Sequence, residues 1–171
     1  MHRIVMIGAL TLTVAACSRG NTVAVATLGP KSGTQVTGTA TFTQQGDKVQ
    51  VVVNAKSLSP GKHGIHVHEK GDCSASDASS AGPHFAPVSG EQHAGPTDAN
   101  HHAGDLGNIE ADADGNGTLT ITTDSLSVGK GATDVIGKAL IIHGDPDDLK
   151  TQPSGNSGGR VACGVIEVKA D

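Results

Sequence analysis

Short runs rich in Val, Ile and Thr, most of them ended by Gly, Pro, Asn or Asp, recur along the chain from Thr22 onward. Such runs are typical of β-strands, and no stretch shows the sustained helical period with capping residues that an α-helix requires. Strands are predicted near Thr22–Val25 and at Gln35–Thr43, Lys48–Ala55, Lys62–Glu69, Thr118–Thr122, Ala139–His143 and Val161–Val168. The sequence therefore predicts an all-β fold.

The composition supports a single domain of this kind and excludes one class of partner. Of 171 residues 24 are Gly, Trp and Tyr are absent, and Phe42 and Phe85 are the only Phe residues, so aliphatic side chains must fill the core. The formal net charge is -5 and the few Lys and Arg residues are scattered. No basic stripe is available to neutralise phosphates, and no nucleic-acid partner is expected.

Two segments interrupt the strand pattern. Gly71–Gly104 contains Cys73 and four His, and the polar segment Gly144–Gly159 leads directly into Arg160. By contrast, Gln44–Asp47 and Asp114–Gly117 read as hairpin turns. Long segments without regular structure are uncommon in compact domains and usually carry function, so the two interruptions are predicted to be functional loops.

The N-terminus is predicted to be a processing segment. Arg3 followed by the apolar run Ile4–Ala16 is typical of a secretory signal, and the run is too short to span a membrane as a helix. Val14–Cys17 resembles the lipobox of bacterial lipoproteins, in which the signal is cut before a Cys that is then acylated. An ordinary signal with Cys17 nearby by chance is the alternative. The expected division is a signal peptide at 1–16, a lipidated Cys and short tether at 17–21, and one domain at 22–171.

This N-terminus also gives an expected location. Acyl chains on Cys17 would anchor the protein to a membrane of the cell envelope, on the periplasmic side. Ser18 follows Cys17 where inner-membrane lipoproteins carry Asp, which by resemblance to Gram-negative sorting patterns favours the outer membrane.

The Cys content is consistent with export. If Cys17 carries lipid, Cys73 and Cys163 remain as a pair. In an oxidising compartment, a pair so far apart in the sequence predicts a disulfide. Two separate buried thiols are the alternative.

The His residues are the strongest chemical signal. His66 and His68 alternate along a predicted strand, so both imidazoles project from one face, where copper or zinc could bind them. A His-x-His pattern alone is as often a chance feature of a protein surface as it is a metal site. His63 is an odd number of residues from His66, so it faces the other side, and a structural role is expected for it.

Further candidate ligands lie along the following loop. His84, His93 and His102 are followed by Asp105, and imidazole and carboxylate groups are common zinc ligands. His143 ends an apolar strand, where a lone His would more often have only a structural role.

Four segments together resemble the signature motifs of the copper/zinc superoxide dismutases, in that family's order. They are Gly64–Glu69 (GIHVHE), Gly82–Phe85 (GPHF), His102–Asn108 (HAGDLGN) and Gly159–Ile166 (GRVACGVI). The close spacing of Cys73 after His68 is similar to the exported bacterial members. The resemblance implies a flattened, eight-stranded Greek-key β-barrel of sandwich architecture, carrying two long functional loops.

The resemblance also implies a role for each site residue. It implies one copper per chain, bound by His66, His68, His84 and His143, and one zinc, bound by His84, His93, His102 and Asp105, with His84 bridging the two ions. His102 rather than the adjacent His101 matches the motif. Arg160 would stand beside the copper, Asp147 rather than Asp148 would link the rings of His66 and His93, and Cys73 and Cys163 would form the disulfide.

The implied function is dismutation of superoxide to oxygen and hydrogen peroxide, with His84 and Arg160 as catalytic residues. A copper carrier on the same fold, without catalysis, is the main alternative, and a purely structural or adhesive β-sandwich is another. Lys150 could help to attract superoxide or could be an ordinary solvated Lys. Members of the family occur as monomers and as dimers, so a homodimer is possible.

Overall fold

The computed structural model describes residues 22–170, in which every long element is a β-strand. The strands are β1 (Val23–Pro30), β2 (Thr37–Gln45), β3 (Lys48–Lys56), β4 (Gly61–His68), β5 (Asp105–Ala111), β6 (Gly117–Thr123), β7 (Ala139–His143) and β8 (Arg160–Val168), and a 3₁₀ turn covers Ser79–Ala81. The predicted signal peptide, Cys17 and the tether lie outside these residues. Within them, no helix has the length and apolar character needed to cross a membrane.

The eight strands form one closed antiparallel barrel in the order β1-β2-β3-β6-β5-β4-β7-β8. The first three strands are consecutive hairpin partners, whereas β3 lies beside β6 and β4 lies between β5 and β7. This non-sequential pairing is consistent with a Greek key. The predicted all-β, eight-stranded barrel is confirmed.

Alternation along the strands places aliphatic side chains inside the barrel. On β3, Val49, Val51 and Val53 are fully buried, while the residues between them face outward. Phe42 on the neighbouring β2 is also fully buried and is among the largest core side chains. The alternation therefore produces the aliphatic core that the composition predicts.

Strand β5 is the element that the sequence patterns did not reveal. It begins at Asp105, whose carboxylate faces the His cluster described below, and Gly107 in its middle has φ +82°. Only Leu106, Ile109 and Ala111 give it buried apolar side chains. Because site residues and a left-handed Gly interrupt the alternation, the segment lacks the signal of an ordinary strand.

Two irregularities in the barrel lie beside the His residues. The pairing of β4 with β5 shifts register between Gly64 and His66, and that of β7 with β8 shifts between Ile142 and His143. β-Bulges of this kind re-aim side chains and are common next to functional sites. Here they lie on the face of the barrel that the two long loops, 69–104 and 144–159, cover.

Candidate metal centre

Four imidazoles meet where β4, β7 and the first long loop come together. His66 and His68 project from the outer face of β4, opposite the core residues Ile65 and Val67. The centroid of the His66 ring lies 4.0 Å from that of His84 and 4.8 Å from that of His143. One nitrogen from each of His66, His68, His84 and His143 can be chosen so that all lie within 4.8 Å of one another, a grouping that could hold one metal ion.

A second group of donors adjoins the first and shares His84. The Asp105 Oδ1 atom lies 2.7 Å from Nδ1 of His84 and 3.1 Å from Nδ1 of His93, and its Oδ2 atom lies 3.4 Å from Nδ1 of His102. Zinc bonds of about 2.0–2.2 Å in a tetrahedral site separate the donor atoms by roughly 3.3 Å. Donor atoms of His66, His84, His93 and Asp105 also lie within 4.8 Å of one another.

By distance His66 belongs to both groups of donor atoms, but its hydrogen bond to Asp147 assigns it to the first group. Its Nε2 atom lies 2.8 Å from Oδ2 of Asp147, so Nδ1 is the nitrogen left to face the first group. His102 is not part of the tightest second group, yet its Nδ1 atom is directed at Asp105.

Buried ring nitrogens without hydrogen-bond partners indicate whether these residues suit metal ions. Five buried ring nitrogens have no hydrogen-bond partner among the described residues: Nδ1 of His66, Nε2 of His68, Nε2 of His84, Nδ1 of His102 and Nε2 of His143. Each unpaired buried polar group costs roughly 1–3 kcal/mol. Five at one place are hard to reconcile with a purely structural role, whereas imidazole and carboxylate donors suit copper and zinc. The residues therefore fit the two ions.

Burial prepares these imidazoles for metal binding. Loss of hydration is the main cause that lowers the pKa of His66, His68 and His84, and neighbouring imidazoles act in the same direction; together these effects lower the pKa of His143 to about 3. A neutral imidazole can bind one metal ion through its free nitrogen, so no proton need be displaced from His66, His68 or His143 at neutral pH, whereas His84 would have to lose its ring proton to bridge two ions.

Asp105 is held as a carboxylate in the same cluster. Its burial alone would raise its pKa, but the neighbouring His102 and His84 side chains outweigh burial and lower the pKa overall. An ionised carboxylate beside three imidazoles is the charge state that a divalent cation requires.

The Asp147 carboxylate links the two groups by contacting one ring of each. Its Oδ2 atom contacts Nε2 of His66, and its Oδ1 atom lies 2.9 Å from Nε2 of His93. Asp148, the alternative from the sequence, is exposed and accepts hydrogen bonds from Thr151 instead. A carboxylate on the distal nitrogen fixes the orientation of a ligand ring.

Gly155 makes room for this carboxylate. Its φ is +65°, and a Cβ atom there would lie 1.8 Å from Oδ1 of Asp147 and 2.6 Å from Nε2 of His93. Any larger residue at this position would displace the link between the two rings.

Two amide side chains that sequence reasoning missed secure the same region. Asn108 donates to the Asp147 carbonyl and accepts from the Asp147 N–H. Gln152 does the same to the backbone of His93. Neither contact has a signal in spacing or composition, because each joins residues far apart in the sequence.

The two remaining His residues between 22 and 170 make structural contacts. The His63 ring contacts the backbone oxygen atoms of His143 and Ser59 on the inner side of β4. The His101 ring contacts the His102 carbonyl oxygen and the Ser125 hydroxyl, on the side away from the cluster.

Arg160 stands at the mouth of the first group. Its Nη1 donates to the Ala78 carbonyl at 2.7 Å and its Nη2 to the Gly82 carbonyl at 2.6 Å. It lines a cavity of about 360 Å³ together with His68, His84 and His143. Loss of hydration lowers its pKa, but a guanidinium remains protonated at neutral pH. The cavity therefore combines a fixed positive charge with the imidazole cluster.

The loop that supplies these carbonyls is tied to the barrel by a disulfide. Cys73 and Cys163 are bonded, with their Cα atoms 5.8 Å apart, which confirms the predicted pair and makes the alternative of two free thiols wrong. Cys163 lies on β8, close to Arg160. The disulfide thus holds the loop that positions the guanidinium.

Comparison with known proteins agrees with this geometry. The family model described as copper/zinc superoxide dismutase matches residues 36–166. Among solved structures, a crystal structure of the clock protein EA4 is similar, with 37% sequence identity and a TM-score of 0.78, covering 96% of this chain and 100% of that one. The family match spans strands β2 to β7, most of β8, and both loops that carry the His cluster. The chain belongs to the copper/zinc superoxide dismutase family.

Proposed function

We propose that this protein is an active superoxide dismutase that binds one copper and one zinc per chain. The observation that carries the proposal is a cavity lined by Arg160 together with His68, His84 and His143, each of which has a ring nitrogen without a hydrogen-bond partner. Copper bound there would supply the one-electron exchange that turns two superoxide ions and two protons into oxygen and hydrogen peroxide, while zinc is redox-silent.

Arg160 would bind and orient the anion. Two of its N–H groups are used by the Ala78 and Gly82 carbonyls, which leaves other donors of the guanidinium for superoxide. Because the protein is acidic overall, a local positive charge is needed to draw an anion into the cavity. Electrostatic attraction of a charged substrate into its site raises association rates by roughly 10–10³-fold, and superoxide dismutase is one of the known examples of this effect.

His84 would hold the proton. Its Nδ1 atom is engaged by Asp105, so Nε2 is the atom that can carry a proton toward the reduced dioxygen species. His84 lines the same cavity as Arg160, so the proton and the anion would be brought close together. The chain thus offers an acid and an anion-binding group side by side.

A dismutation assay on the metal-loaded protein tests the proposal. We expect about one copper and one zinc per chain and rapid loss of superoxide. Arg160→Ala should retain both metals but lose roughly 10–100-fold in rate, because it removes the attracting charge. A copper carrier on this fold would bind the metals without dismutating superoxide, and in that case the proposed activity is wrong.

We also propose that the protein is lipid-anchored in the cell envelope through Cys17. The support is the Val14–Cys17 segment together with a folded domain that begins at β1, only six residues after that Cys. Mass spectrometry of protein extracted from membranes is expected to find Cys17 as an acylated N-terminus. An unmodified N-terminus on protein released in soluble form would contradict the anchor but not the enzyme.

A further inference from the structure

The side chain of Gln152, in the loop 144–159, makes two hydrogen bonds to the backbone of His93. Its side-chain oxygen accepts the His93 N–H at 2.9 Å, and its side-chain nitrogen donates to the His93 carbonyl at 2.6 Å. The two residues are 59 positions apart. A side chain that meets both the N–H and the C=O of one residue fixes that residue's position and the direction of its peptide planes.

His93 is anchored from the loop 144–159 at its ring as well. Asp147 in that loop holds Nε2 of the His93 ring at 2.9 Å, while Nδ1 faces Asp105 at 3.1 Å. Gln152 therefore fixes the backbone and Asp147 fixes the ring. The placement of His93 depends on the segment that leads into Arg160 more than on its own loop.

Contacts from the segment before His93 are weaker. Gln92 donates to the Asn100 carbonyl at 3.4 Å, near the limit for a hydrogen bond. Residues Val88 to Gly90 are exposed. Apart from Gln152, the backbone next to His93 is held by the long contact of Gln92 and by the Ala94 N–H, which donates to Oδ2 of Asp105 at 3.2 Å.

We infer that Gln152 is a positioning residue that sets the affinity of the second donor group for zinc. This inference rests on the proposed metal centre and goes beyond it, because Gln152 touches neither donor atom nor substrate. By holding the His93 backbone, Gln152 limits the positions that Nδ1 can take. It also makes retention of zinc depend on the order of the loop 144–159.

Zinc affinity, measured by competition with a chromophoric chelator, tests this role. We expect Gln152→Ala to raise the zinc Kd by about 10–100-fold, the usual effect of removing a group that orients a metal ligand. The copper Kd of the zinc-free protein should change by less than threefold. Gln152 is exposed overall, so the substitution opens no core cavity and the variant should fold.

Two further variants separate hydrogen bonding from other effects. Gln152→Leu keeps the bulk but not the hydrogen bonds, and it should weaken zinc binding as much as Gln152→Ala does. Lys150→Ala lies in the same loop, where only the Lys150 backbone carbonyl contacts Gln152, and it should leave the zinc Kd unchanged. Cobalt(II) in the zinc site should show an altered visible absorption spectrum in both Gln152 variants.

The outcomes distinguish this inference from the proposed function. A zinc Kd within twofold of the parent value in Gln152→Ala, or normal affinity in Gln152→Leu, overturns the positioning role alone. Equal weakening of copper and zinc would also overturn it, since that result indicates general loosening. Failure of the parent protein itself to bind zinc overturns the proposed metal centre and this inference together.

Discussion

His143→Ala is expected to lose bound copper and to reduce the dismutation rate by at least about 100-fold. His143 supplies one of the four nitrogens of the first group, and its Nε2 atom has no other partner. The backbone carbonyl at this position, which contacts His63, would remain. Copper content by elemental analysis and the rate of superoxide loss measure the effect.

His101→Ala is the matched control for this substitution. His101 is partly buried, whereas His143 is buried, and its ring contacts Ser125 and the His102 carbonyl rather than the cluster. It should keep its copper and stay within about threefold of the parent rate, since it supplies no ligand atom. Full copper and full activity in His143→Ala would sink the copper assignment.

Removal of the disulfide should produce the largest loss of stability. The bond between Cys73 and Cys163 spans 90 residues, and on the chain-entropy model closing such a loop stabilises the fold by about 4–5 kcal/mol. The double variant Cys73→Ser/Cys163→Ala should therefore unfold at clearly lower urea concentration than the parent, with both proteins free of metal. The free energy of unfolding extrapolated to water is the quantity to compare.

The third Cys provides the control. In protein that carries no lipid, Cys17→Ala changes a residue that precedes the folded domain, and it should change the free energy of unfolding by no more than about 0.5 kcal/mol. The double variant should also lose activity, because the loop that it frees carries the Ala78 and Gly82 carbonyls that hold Arg160. Equal stability of the double variant and Cys17→Ala would contradict the role given to the disulfide.

Alternation and motif order predicted most of this molecule, and the exceptions have physical reasons. Strands such as β3 and β7 follow plain patterns of apolar residues, so their positions could be predicted closely. Strand β5 could not, because Asp105 and Asn108 are turned to the site and Gly107 breaks the alternation. Residues that serve the site replace the apolar residues expected of a strand, and rules based on strand propensity do not allow for this replacement.

The candidate ligands could be named from the sequence, but the contacts that orient them could not. Motifs place His66 and His84 in a recognisable order. The hydrogen bonds of Gln152 to His93 and of Asn108 to Asp147, by contrast, exist only in the folded chain. An amide in a polar loop carries no sign of its distant partner. Such contacts depend on how two loops pack, which local patterns do not encode.

Closure of the barrel affects how this protein can meet other molecules. Each of the eight described strands has a hydrogen-bonded neighbour on both sides, although β5 and β6 are joined at one end only, so the barrel has no edge strand. The exposed row of N–H and C=O groups on an edge strand is what allows one chain to add itself to the sheet of another and begin an aggregate. Accidental polymerisation by strand pairing would therefore first require the barrel to open.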